Sequence, residues 1–110
     1  LQDFLQQLTH PNDVAGALKI AEQLQKIPLI EPVAWLQRWL YDLLALRLAG
    51  QVRYYPRYHT QLRALAARST NVSLAQAVSR LNGRNATARH PLSPKLFLED
   101  MLLDYSTIFC

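Results

Sequence analysis

Cysteine is almost absent: one occurs, Cys110, the last residue. A lone cysteine excludes an internal disulfide framework and any zinc site built on paired cysteines. Glycine is nearly as scarce, with three in 110 residues. Gly16, Gly50 and Gly83 are isolated, and none precedes a Lys-Ser/Thr pair, so there is no glycine-rich loop to cradle phosphates. No segment approaches the roughly 20 uncharged apolar residues of a membrane span. Acid is missing from the middle of the chain. Asp3, Asp13, Glu22, Glu31 and Asp42 are followed by no carboxylate until Glu99, Asp100 and Asp104. No export signal is visible, so a cytoplasmic location is the expectation.

What is present is apolar and helical in period. Half of the residues are hydrophobic, without the strict alternation of a half-buried strand, so the expectation is an all-α single bundle of about five helices. At this length, residues 1–110 form one domain with a single core. Leu1 to Leu8 reads as the end of a helix whose start is missing, with 1–10 its remnant and His10-Pro11 its break. Asn12 or Asp13 caps a helix to about Lys26, with Val14, Ala17, Leu18, Ala21 and Leu24 on one face. The next helix spans about Pro32 to Ala49, with Gly50 as its left-handed C-cap. After a short linker, helices follow over about Tyr58–Arg68 and from Asn71 or Ser73 to about Arg89. Ser93 as N-cap and Pro94 at the first helical position open the last one.

Two helices carry more apolar surface than one buried face requires. In the helix over 32–49, Trp35, Leu36, Trp39, Leu40, Leu43, Leu44, Leu46 and Leu48 span roughly 220°, against the ~100° stripe of an ordinary surface helix. Arg38, Tyr41, Asp42 and three alanines form the remaining strip. Such a helix is either central to the bundle or shared between the core and an intersubunit contact. Its two tryptophans, four apart, read as core. Arg47 projects into the apolar arc from the last turn, where it can snorkel and cap carbonyls. In the closing helix, Phe97, Leu98, Met101, Leu102, Tyr105, Ile108 and Phe109 share one broad arc. Leu96 and Leu103 lie opposite, among Glu99, Asp100 and Thr107. A second apolar spot rimmed by acids points to an assembly, so Leu96, Glu99, Asp100 and Leu103 are the candidate subunit interface.

No constellation for catalysis assembles. His10, His59 and His90 lie far apart with no acidic or cysteine ligand at zinc spacing. Glu99 and Asp100, adjacent on a helix, point some 100° apart and cannot face one another as a carboxylate pair. Catalytic, cofactor-binding and metal-binding residues are therefore expected to be none. Charge is segregated instead. Residues 43–98 carry nine basic side chains and no acid, and the flanks sum to −5, giving the net +4. This suits a polyanion or an acidic partner, or else a basic solvated face balanced by acids on neighbouring helices. Arg53-Tyr54-Tyr55-Pro56-Arg57-Tyr58-His59 interleaves cations with aromatic rings, as single-strand binders do. The same segment reads more readily as an interhelical turn whose tyrosines plug the end of the core. Arg53, Arg57 and Arg63 are the candidate contacts to nucleic acid or an acidic partner.

Three segments carry a resemblance: VAWLQRWLYDLLALRLAG (33–50), VRYYP (52–56) and HPLSPKLFLEDMLLDY (90–105). Over these runs the chain resembles the C-terminal collar domain of the bacterial DNA polymerase III clamp-loader delta prime subunit. The resemblance implies a subunit with an N-terminal nucleotide-binding-type domain, a small lid and this helical domain. It implies collar domains of five subunits packed into a ring, with gamma/tau and delta subunits as partners and DNA reached indirectly through the assembled complex. Delta prime subunits also lend an arginine to a neighbouring ATP site and carry a zinc module. None of those elements falls in these residues, so no catalytic, cofactor or metal residue carries over. The parent assembly would be a DNA-directed DNA polymerase holoenzyme; the fragment itself is expected not to be an enzyme. The alternatives are a helical nucleic-acid-binding module using 53–68, or a helical adaptor unrelated to replication.

Overall fold

The computed structural model describes residues 1–87 and 93–109, with only the backbone of 85–87. The described residues form six α-helices and no strand: α1 (Gln2–Leu8), α2 (Val14–Leu24), α3 (Ile30–Ala49), α4 (His59–Ala67), α5 (Asn71–Thr87) and α6 (Pro94–Ser106). Single 3₁₀ turns, Pro56–Tyr58 and Thr107–Phe109, precede α4 and follow α6. The all-α bundle read from the sequence is the fold that forms. The end expected for α5 near Arg89 lies outside the described residues.

Local chemistry sets most boundaries. The Asp13 carboxylate accepts the Gly16 N–H at 3.0 Å and starts α2. A Cβ at position 16 would press on that carboxylate and on the Gln7 side chain, so a larger residue here must push the capping side chain aside. Thr70 and Ser73 cap each other's backbone N–H at 3.0 Å and open α5. Gly50, at φ 72°, ends α3 in the left-handed region. Ser93 accepts from the Leu96 N–H, with Pro94 in the first turn of α6.

Helix α3 is the axis of the bundle. It packs most extensively against α5 and α4, while α2 packs against α6. Val33, Leu36, Trp39, Leu40 and Leu43 are buried along it. One continuous core also takes Phe4, Leu5 and Leu8 from α1, Leu62 and Leu65 from α4, Leu74 and Leu81 from α5, and the inner side of α6. The radius of gyration, 13.0 Å, is what close packing gives at this length.

A polar relay crosses this core. The Trp39 Nε1–H donates to the Tyr105 hydroxyl at 3.0 Å, and that hydroxyl donates to the Leu8 carbonyl at 2.6 Å. It joins α3, α6 and the last turn of α1 and satisfies a carbonyl that the helix end leaves free. Burial pushes the Tyr105 pKa far up, against the smaller opposing effects of the Trp39 hydrogen bond and the Arg68 charge. Trp39 is thus core, as its spacing suggested, and Trp35 meets Phe4 edge-on at 5.6 Å.

Three expectations require correction. On α2 the buried residues are Ala17, Ile20 and Ala21, while Val14 and Leu18 are exposed. The buried stripe is rotated by about 45° at 100° per residue, because small alanines allow close approach and apolar residues border the stripe on both sides. Leu48, placed in the apolar arc of α3, is exposed on its last turn, which emerges from the bundle. Asp42, placed on the outer strip, is completely buried. Its carboxylate accepts the N–H groups of Arg53, Tyr54 and Tyr55 at 2.9, 2.9 and 2.8 Å. A buried carboxylate requires such partners, and the turn after α3 supplies them from its backbone.

Candidate subunit interface

Apolar packing sets which side of α6 faces inward. Leu98, Met101, Leu102 and Tyr105 are buried and Phe97 is half-buried, with Ile108 and Phe109 continuing the same side beyond the helix. The opposite side keeps its apolar residues in water: Leu96 is 65% exposed and Leu103 38%. Glu99 is half-buried between them. Two exposed leucines two turns apart present a ridge that a partner can desolvate. Val14 and Leu18 on α2, the helix packed against α6, are exposed as well.

Asp100 belongs to a second arrangement. It receives the Arg84 guanidinium at 2.6 Å, and Asp104 receives Arg84 at 3.3 Å and Arg80 at 3.0 Å. The two arginines on α5 are four apart and so are the two aspartates on α6, so each pair occupies one helix face. Partial burial disfavours the Arg84 charge, but Asp100 and then Asp104 outweigh it and raise its pKa. This network explains part of the charge segregation: the basic side of α5 is balanced by acids on the adjacent helix. The doubled four-residue spacing was the signal in the sequence that could have revealed it.

The basic turn is arranged differently. Arg53, Arg57 and Arg63 are all exposed, and among the described residues none of their guanidinium groups pairs with a carboxylate. Tyr55 and Tyr58 turn inward and meet Trp39 at 6.0 and 5.7 Å, and the Tyr55 hydroxyl donates to the Trp35 carbonyl at 3.2 Å. Burial raises the Tyr55 pKa, Arg38 opposes this, and the Asp42 charge adds to it. Arg47 reaches out of α3 to the Ala66 carbonyl at the end of α4 and to Asn71, both at 2.7 Å. It does cap a carbonyl, but one that belongs to a neighbouring helix.

His10 and His59 lie at separate helix ends, and His90 is outside the described residues. Among the described residues no cluster of histidine, cysteine or carboxylate side chains could hold a metal ion, and no helix is long and apolar enough to cross a membrane. The geometry offers surfaces for association: an apolar ridge on α6 and a separate cationic turn before α4.

No curated protein and no solved structure matches the chain. A family model does, described as DNA polymerase III, delta subunit, C terminal, over residues 1–107. That match spans nearly the whole chain, and its description names the delta subunit where the sequence runs resemble delta prime. The chain therefore belongs to the family of C-terminal domains of the DNA polymerase III delta subunit, a component of the clamp loader.

Proposed function

We propose that residues 1–110 are one collar domain of the delta prime type, which holds its subunit in the clamp loader by packing against gamma/tau and delta subunits in a five-subunit ring. In this reading the domain works in the cytoplasm, contributes no chemistry of its own, and is linked to DNA through the assembled complex. The delta prime assignment is supported by the runs at 33–50, 52–56 and 90–105. One observation carries the oligomerisation role: α6 buries Leu98, Met101, Leu102 and Tyr105 on one side and leaves Leu96 and Leu103 in water on the other. A small apolar patch that becomes desolvated contributes interface energy out of proportion to its area. Glu99, beside the ridge, supplies polar selection at its rim. Asp100 contributes less, because its charge is already met by Arg84.

The test is co-assembly. The chain is mixed with purified gamma/tau and delta subunits and followed by size-exclusion chromatography with light scattering. Co-elution at the mass of a stoichiometric complex is the expected result. Separate elution at micromolar concentrations of every component overturns the reading.

A further inference from the structure

The α6 ridge leaves the cationic turn unexplained, and three observations set that turn apart. Its backbone is fixed, because the buried Asp42 carboxylate holds the N–H groups of Arg53, Tyr54 and Tyr55. Its side chains are sorted: Tyr55 and Tyr58 fill the end of the core, while Tyr54 is 43% exposed with the Arg53 guanidinium 5.9 Å from its ring centroid. Its guanidinium groups are unpaired among the described residues, since Asp100 and Asp104 serve Arg80 and Arg84, and the buried Asp42 is occupied by backbone N–H groups. Tyr54, Tyr55, Pro56, Arg57 and Tyr58 line a surface depression with no acidic lining residue.

We propose that this turn is a contact site for single-stranded nucleic acid, with Arg53 and Arg57 on successive phosphates and the Tyr54 ring stacked on a base. Guanidinium groups suit phosphate oxygens, and an aromatic face flanked by cations suits an unstacked base of any identity. A duplex hides its base faces, and an acidic peptide has no group that uses the exposed ring, so the pairing of cation and ring selects a single strand. Holding the backbone of Arg53 and Tyr54 in place lowers the ordering cost of binding. The site does not depend on the assembly reading, because the α6 ridge and the 53–58 turn share no residue.

The whole chain is titrated into a fluorescein-labelled oligo-dT at low salt, reading anisotropy. Weak binding on the order of 10⁻⁴–10⁻⁶ M is expected, as for simple phosphate neutralisation. Arg53→Gln with Arg57→Gln should weaken it about tenfold or more and flatten the log–log salt slope by roughly 1.4, the value for two single-strand phosphates. Tyr54→Ala should weaken binding roughly tenfold and Tyr54→Phe should restore it, because the ring and not the hydroxyl stacks. Arg80→Gln, whose guanidinium is already engaged by Asp104, should change affinity less than about twofold by the same phosphate-contact logic. The substituted side chains in the turn are exposed, and circular dichroism confirms folding of each variant. No binding at several hundred micromolar, an unchanged affinity for the double arginine variant, or an unaffected Tyr54→Ala overturns the proposal. So does equal competition by oligo-glutamate, which would identify an acidic protein as the partner.

Discussion

Asp42→Ala puts the buried carboxylate to the test, and two effects compete in its sign. Taking a charge out of water costs several kcal/mol, and removing it releases that cost. Against this stand three N–H donors at 2.8–2.9 Å, with a second contact from the Tyr54 N–H at 3.2 Å. Hydrogen bonds to a charged group contribute about 1.5–3 kcal/mol each. Residues 53 and 54 are exposed, so water can reach their amides in the variant, whereas Tyr55 is half-buried and its amide stays poorly hydrated. The hydrogen bonds therefore win, and the net loss should be about 3 kcal/mol, or roughly 12 °C in melting temperature for a domain of this size. Asp42→Asn should cost about 2 kcal/mol, because its amide group presents donors to donors. Urea unfolding gives the magnitude, and amide hydrogen exchange localises it: Arg53, Tyr54 and Tyr55 should lose protection before the rest of the chain. If Asp42→Ala is neutral or stabilising with exchange at 53–55 unchanged, desolvation dominates and the anchoring role is wrong.

Tyr105→Phe leaves the Trp39 N–H and the Leu8 carbonyl both unpaired in the core, and should cost about 2–3 kcal/mol in urea unfolding. The same hydroxyl sets an alkaline limit. Its folded pKa is raised by burial, so above about pH 10 the unfolded chain releases a proton that the folded one keeps, and stability should fall by up to about 1.4 kcal/mol per pH unit. Tyr105→Phe should remove most of that decline, leaving the smaller contribution of Tyr55. Gly83→Ala, with open space around the added Cβ, should stabilise the chain by about 0.5–1 kcal/mol, whereas Gly50→Ala, at φ 72°, should destabilise it by about 1–2 kcal/mol. Thermal melts of the two variants should therefore move in opposite directions.

Features that depend on neighbouring residues were readable along the chain. The Ser93-Pro94 start of α6 and the Gly50 stop of α3 follow from which residues satisfy or tolerate a helix end. The division of α6 into Leu98, Met101 and Leu102 inside and Leu96 and Leu103 outside follows from the helical period, because acids flank only the outer pair. The rotation of α2 was not readable: alanines beside Val14, Leu18 and Ile20 make several faces equally apolar, and only the partner helix decides among them. Asp42 was hidden for a different reason. Its partners are backbone N–H groups 11 to 13 residues away, and backbone donors leave no mark in residue type. The split among the three tyrosines of the turn followed from that same anchor and was equally out of reach. Whether the outer face of α6 meets another subunit is not written in one chain, since the residues that would cover it belong to the partner.

That face is tested most directly by changing Leu96→Gln and Leu103→Gln together and measuring both folding and assembly. Both side chains are exposed, so urea unfolding of the variant should stay within about 1 kcal/mol of the unchanged chain. Its affinity for gamma/tau and delta subunits, read by light scattering or surface plasmon resonance, should fall at least about tenfold, as expected when two anchoring side chains are lost from an interface. A variant that folds normally and assembles with unchanged affinity contradicts the account, and the contact must then lie away from the α6 ridge.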